Sequence, residues 1–107
     1  MDKIYIGRRY EEGNVVVVAE KDDPSSSQRL EHHVQHSPDG FNWGYSGSDP
    51  SELARCILWD FLGEEPTAAA YRDFTRVFIV GIQEDSWTID STLITTWLSN
   101  QPEEALA

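Results

Sequence analysis

The residues that could do chemistry in this chain are three histidines, one cysteine and a cluster of aromatics. His32, His33 and His36 fall within the run HHVQH. On an extended segment His32 and His36 share a face but stand about 13 Å apart, at about 3.3 Å per residue. One metal ion cannot join them, because its bonds to nitrogen run about 2.0 Å. On a helix the same pair would lie one turn apart and could chelate. QRLEHHVQHS sets Leu30, His32, Val34 and His36 against Arg29, Glu31, His33 and Gln35, which predicts a strand and therefore no metal. Cys56 sits inside an apolar run. A reactive thiolate needs a positive, partly open site, and Arg55 next to it points elsewhere on a helix, so a packed, inert cysteine is expected. No serine lies in a G-x-S-x-G turn. The acid pairs Glu11-Glu12, Asp22-Asp23 and Glu64-Glu65 fall in loops, where the shifted pKa values of acid–base catalysis are rare. GYSGS precedes a helix start and could hold an anion, but Asp49 and Glu52 occupy that end and repel one. These residues imply neither a cofactor nor an enzyme. A small hydrolase or transferase built on His32 or His36 is the alternative.

The aromatics Phe41, Trp43 and Tyr45 alternate among glycines and serines in GFNWGYSGS. Tryptophan and tyrosine on loops are the residue types that anchor protein interfaces. The competing reading is that the three fold back over the sheet and pack on the helix that follows.

Charge narrows the choice of partner. Nineteen Asp and Glu oppose eight Lys and Arg in 107 residues, a net charge of −11. Such a field repels phosphate backbones and anionic lipid, which argues against direct nucleic-acid or membrane binding. A basic groove on another protein is the complementary surface. No run approaches the roughly 18 apolar residues of a membrane span, and MDKIYIGRR lacks the apolar core of a secretion signal. A single cysteine suits a reducing cytoplasm.

The elements that must position these residues follow from periodicity. KIYIGRR alternates as a strand, YEEGN turns, and VVVVAEK is a β-branched strand that fits a central position or burial on both faces; the two should form a hairpin. DDPSSS, Asp22 to Ser27, is expected to be a loop, and QRLEHHVQHS a third strand. FNWGY is either a short strand or a folded loop. Asp49, Pro50 and Glu52 make a capping box with proline at the first helical position, Ala54, Ile57, Leu58 and Phe61 form the apolar stripe, and Gly63 ends the helix. A second helix is expected from Pro66 to about Ile82, a short strand at WTI, and a last helix capped by Asp90 or Ser91 with Leu93, Ile94, Trp97 and Leu98 on one side. Strands first and helices after predict a single α+β domain over 1–107: a three- to four-stranded antiparallel meander with about three helices on one face and a frayed tail from 99.

HSPDGFNWGYSGSDPSELARCILWDFLG resembles the central motif of a small uncharacterised family of bacterial and phage genomes. In that family a strand ending in H-S-P precedes G-F-x-W-G-Y-x-G-S, then P-x-x-L-A and a helix ending in L-G. The likeness is strong over about a quarter of the chain and loose over the N-terminal strands, and the stretch from Pro66 to Ile82 has no counterpart in it. The family brings no activity and no catalytic residues. The resemblance implies a mobile genetic element and the cytoplasm of an infected bacterium, and with it an anti-CRISPR-type role. The expected function is therefore an acidic inhibitor or modulator that occupies a basic surface of a host defence or nucleic-acid-processing complex, as a nucleic-acid mimic would. Trp43, Tyr45, Glu64, Glu65, Glu84 and Asp85 are the expected contact residues. A homodimer whose exposed aromatics meet across a two-fold is a further alternative.

Overall fold

In the computed structural model, which describes residues 2–35 and 40–101, the β-branched N-terminal runs form the centre of a sheet. Strands β1 (Lys3–Tyr10) and β2 (Gly13–Glu20) pair antiparallel as a hairpin, with Tyr5 opposite Val18, Ile6 opposite Val17 and Gly7 opposite Val16. Strand β3 (Asp23–Arg29) adds to β2, and β4 (Ser86–Asp90) returns from the far end of the chain to the free edge of β1. The order is β3-β2-β1-β4, all antiparallel. With helices α1 (Ser48–Leu62), α2 (Ala68–Phe74) and α3 (Ser91–Ser99), the fold is α+β with an N-terminal meander.

The alternation of β1, β2 and β4 aims Tyr5, Val16, Val18, Trp87 and Ile89 at the helices, where they share one core with Leu53, Ile57 and Leu58 of α1 and with Phe74, Ile79, Ile94 and Trp97. Gly7 belongs to this face because the Trp87 indole packs against its Cα; a Cβ there would fall 2.2 Å from the ring. Tyr5 is fully buried and its hydroxyl donates to Asp60 (2.7 Å). Burial first, and then this bond, pushes its pKa above the usual tyrosine range.

Several expected elements differ in detail. DDPSSS is not a loop: all but its first residue lie in β3, an edge strand, where proline is tolerated because its missing N–H faces no neighbour. A bulge between Val18 and Glu20 accommodates it, and Ser26 Oγ accepts the Glu20 N–H (2.8 Å). The third strand accordingly ends at Arg29 rather than running to His36, and 30–35 is irregular. His36 to Asp39 lie outside the described residues. FNWGY takes the folded-loop form. The capping box at α1 does not close. Gly47 holds the cap position without a side-chain bond, Asp49 accepts the Tyr45 hydroxyl (2.7 Å), and Glu52 turns into the protein. The other end is as expected: the Gly63 N–H bonds the Trp59 carbonyl in a left-handed cap. The second helix starts at Ala68, after the cap Thr67, whose hydroxyl accepts the Ala70 N–H, and it widens into a π-helical turn over Thr75–Ile79. Asp90 caps α3 by accepting the Thr92 N–H.

Candidate functional site

The loop at 40–47 is pinned by two residues of the β1–β2 hairpin. Asn14 Nδ2 donates to the Phe41 carbonyl (3.0 Å). Arg9 Nη2 donates to Asn42 Oδ1 (2.9 Å) and the Trp43 carbonyl (3.1 Å), and Nη1 to the Glu84 carbonyl (3.3 Å). The same guanidinium lies 4.4 Å from the centre of the Trp43 ring and 3.8 Å from the Asp85 carboxylate. It is an interior clamp more than a surface cation. Gly44 carries φ of 88° and packs its Cα against the chain at Ile82, where a Cβ would meet the carbonyl at 2.6 Å. Its N–H donates to the Ile79 carbonyl (3.2 Å). These contacts bring the aromatic loop, the hairpin turn and the segment 82–85 to one end of the sheet.

The expected contact residues divide. Trp43 is no surface anchor: it is fully buried, edge-on to Trp87 (5.4 Å, 85°), with Nε1 donating to the Glu84 carbonyl (3.1 Å). A ring flanked by glycines can be drawn wholly under the sheet, and this one is. Tyr45 remains 41% exposed, tethered through its hydroxyl to Asp49. Partial burial, and then the Asp49 bond, raises its pKa. Glu84 and Asp85 are exposed beside Arg9. Glu64 and Glu65 do not join them. They follow the far end of α1, whose 15 residues span about 22 Å, and Glu65 is engaged with Arg55 (3.0 Å).

Sequence reasoning missed Tyr10, Glu11 and Glu12. Tyr10 is 51% exposed and the two glutamates form the hairpin turn, immediately after Arg9, whose backbone N–H donates to the Asp85 carbonyl (2.8 Å). Among the described residues, the carboxylates of Glu11, Glu12 and Glu84 pair with no lysine or arginine. An aromatic followed by two acids in a turn was a legible signal; its meeting with Glu84 and Asp85 was not, because that depends on β4 pairing with β1. The opposite end of the sheet is also acidic, with Asp2, Glu20, Asp22, Asp23, Asp60 and Asp90, but there Lys3 pairs with Asp60 (3.1 Å) and Lys21 with Asp90 (2.5 Å). Both ends are therefore net acidic, with six carboxylates against Lys3 and Lys21 at one and Glu11, Glu12, Glu84 and Asp85 against Arg8 and Arg9 at the other; what sets the hairpin end apart is its two exposed tyrosines, Tyr10 and Tyr45.

The histidines lie elsewhere. His32 Nε2 meets the carboxylate of Glu52, which is 96% buried and also accepts the Gln35 N–H (2.8 Å). His33 stacks flat on Trp59 (3.7 Å, 2°), and its carbonyl accepts from Arg55 (2.8 Å). The two histidines thus fasten 30–35 to α1. The cavity beside Glu52 measures about 30 Å³, room for about one water. Among the described residues no three histidines, cysteines or carboxylates converge to hold a metal ion. Cys56 is buried, and burial pushes its thiol up to about 11. Among these residues no helix is long and apolar enough to cross a membrane.

Comparison with known proteins gives one match. The model of a family of unknown function, DUF6166, fits residues 5–100. No curated protein and no solved structure matches the chain.

Proposed function

The chain belongs to the DUF6166 family, which carries no assigned activity, and from its own surface we propose that it is a protein-binding module presenting the acidic, tyrosine-bearing end of its sheet to a basic surface of a partner. The observation that carries this reading is the coincidence, at one end of a chain of net charge −11, of Glu11, Glu12, Glu84 and Asp85 with exposed Tyr10 and Tyr45. Carboxylates there steer encounter and select against acidic partners. Exposed tyrosines, one at the end of β1 and one tethered through its hydroxyl to Asp49, supply contact area at little entropic cost. A groove built for nucleic acid is a basic surface of this kind, so the partner is a nucleic-acid-processing or host-defence complex and the chain its inhibitor or modulator. The mobile-element setting implied by the family resemblance agrees with this.

The test is capture from bacterial lysate at about 50 mM salt, where the screening length exceeds 10 Å, using wild type and a Glu11→Gln/Glu12→Gln/Glu84→Gln/Asp85→Asn variant. A basic protein retained by wild type, released by about 0.5 M salt and lost with the variant is the expected result. Recovery of no protein, or equal recovery by both, overturns the reading.

The His32–Glu52 pair supports a second reading, a hydrolase or transferase, since a buried carboxylate holding a half-exposed imidazole is how a general base is oriented. Turnover of simple carboxylic or phosphoric esters, lost in His32→Asn, is its signature. His36, the other candidate base, lies outside the described residues.

A further inference from the structure

The three helices cover one face of the sheet, and the other face is built like a core surface. Ile4 and Ile6 of β1 and Val15 and Val17 of β2 project there, away from Tyr5, Val16 and Val18. They are half-buried by their own neighbours, and none belongs to the core cluster or packs against it. An antiparallel sheet with one solvated face normally alternates apolar and polar residues, whereas VVVV in β2 is apolar on both sides. The rows across this face follow from the register: Arg29, Val17, Ile6 and Thr88 in one, and Val15, Arg8 and Ser86 in the next. Arg8 and Arg29 are exposed and, among the described residues, pair with no carboxylate. The apolar residues occupy the two central strands, beside Arg8 of β1, and the outer strands carry polar residues, Arg29 on β3 and Ser86, Thr88 and the Lys21-paired Asp90 on β4.

We propose that this face is the interface of a symmetric homodimer, with a two-fold axis parallel to the strands and midway between β1 and β2. That operation lays β1 on β2 and β3 on β4 of the second copy. Ile6 then packs on Val17 of the second copy, and Arg29 comes over Thr88 and beside Asp90. Arg8 lies next to the Glu11–Glu12 turn of the second copy and meets there carboxylates it does not pair with in its own chain, whereas Arg29 meets the Thr88 side chain. Two sheets stacked about 10 Å apart and within about 30° of each other are a standard β-sandwich interface. With strands of eight, eight, seven and five residues the face covers about 450 Å², so two such faces bury about 900 Å² in all, in the small class of weak, transient interfaces. A dimer in the micromolar range is expected rather than an obligate one. Net charge opposes it at long range, so added salt strengthens it, whereas the acidic-end contact with a basic partner weakens with salt.

Sedimentation of the full chain from about 1 to 500 μM, at about 0.05 and 0.5 M salt, tests this. A monomer–dimer equilibrium whose dimer fraction rises with salt is expected. Ile6→Asp should shift its midpoint at least about a hundredfold upward, because a charge is buried without a partner. Ile6→Asp could also unfold the protein, so the decisive variants are at the exposed edge. Thr88→Lys sets a like charge over Arg29 and should raise the midpoint about tenfold, and Arg29→Glu combined with Thr88→Lys should restore it. A wild-type chain that stays at 12.2 kDa throughout, or a dimer indifferent to Thr88→Lys, overturns the proposal. Either result leaves the acidic-end reading standing.

Discussion

Replacing Gly7 with alanine should destabilise the protein through one identified clash. The added Cβ would sit 2.2–2.4 Å from three atoms of the Trp87 indole, where ordinary contact is about 3.5–4.0 Å. The ring must therefore retreat by more than about 1 Å. It has little room, because Trp87 is only 8% exposed and Trp43 stands edge-on against it at 5.4 Å. Overpacking of this kind costs about 1–3 kcal/mol, and losing the edge-to-face geometry adds about 0.5–1.5 kcal/mol, so about 2–4 kcal/mol is expected. With a urea dependence of about 1–3 kcal/mol per molar for a small domain, the unfolding midpoint should fall by about 1–2 M. Urea titration followed by tryptophan fluorescence measures this, and near-ultraviolet circular dichroism reports whether the Trp43–Trp87 pair survives. Trp87→Leu, made in the Gly7→Ala background, should recover at least about 1 kcal/mol relative to additivity. A Gly7→Ala protein within about 0.5 kcal/mol of wild type, with the tryptophan signal intact, would refute the reasoning.

Two further outcomes follow from single contacts. Trp43→Phe should cost about 1 kcal/mol more than Trp87→Phe in the same urea titration. Trp43 Nε1 donates to the Glu84 carbonyl, whereas the Trp87 Nε1–H is buried with no acceptor among the described residues, and its removal relieves an unpaired donor. Asp90 is held to a pKa of about 2, first by Lys21 and then by the Thr92 N–H and hydroxyl. That value lies below the ordinary aspartate pKa of about 3.9, so its contribution is complete above about pH 4 and is lost as pH falls towards 2. The stability difference between wild type and Asp90→Asn, which keeps a capping side chain, should shrink across that interval; a difference constant from pH 6 to 2 would contradict it.

The hairpin, α1 with its Gly63 stop, the WTI strand and the Asp90 cap all rest on signals within a few residues of one another, and each stands in the structure. β3 was illegible because Pro24 and three serines carry no strand propensity; what makes them a strand is the hydrogen bonding offered by β2. The capping box failed because Glu52 found a partner 20 residues away in His32, and Asp49 found one in Tyr45. A buried carboxylate outbids a surface cap.

The candidate surface divides in the same way. The −11 charge and the acid–aromatic composition of the turns are written in the amino acids, because net charge and turn chemistry need no tertiary contact. That alone sets the class of partner such a chain attracts. Which tyrosine is exposed, which tryptophan is buried, and whether Glu11, Glu12, Glu84 and Asp85 meet were decided by the antiparallel return of β4 onto β1 and by the Arg9 clamp. The β4–β1 pairing and the Arg9–Glu84 bond join residues more than 70 positions apart, and no local pattern encodes such a closure; burial of the shared core, Trp43 and Trp87 included, repays its entropy.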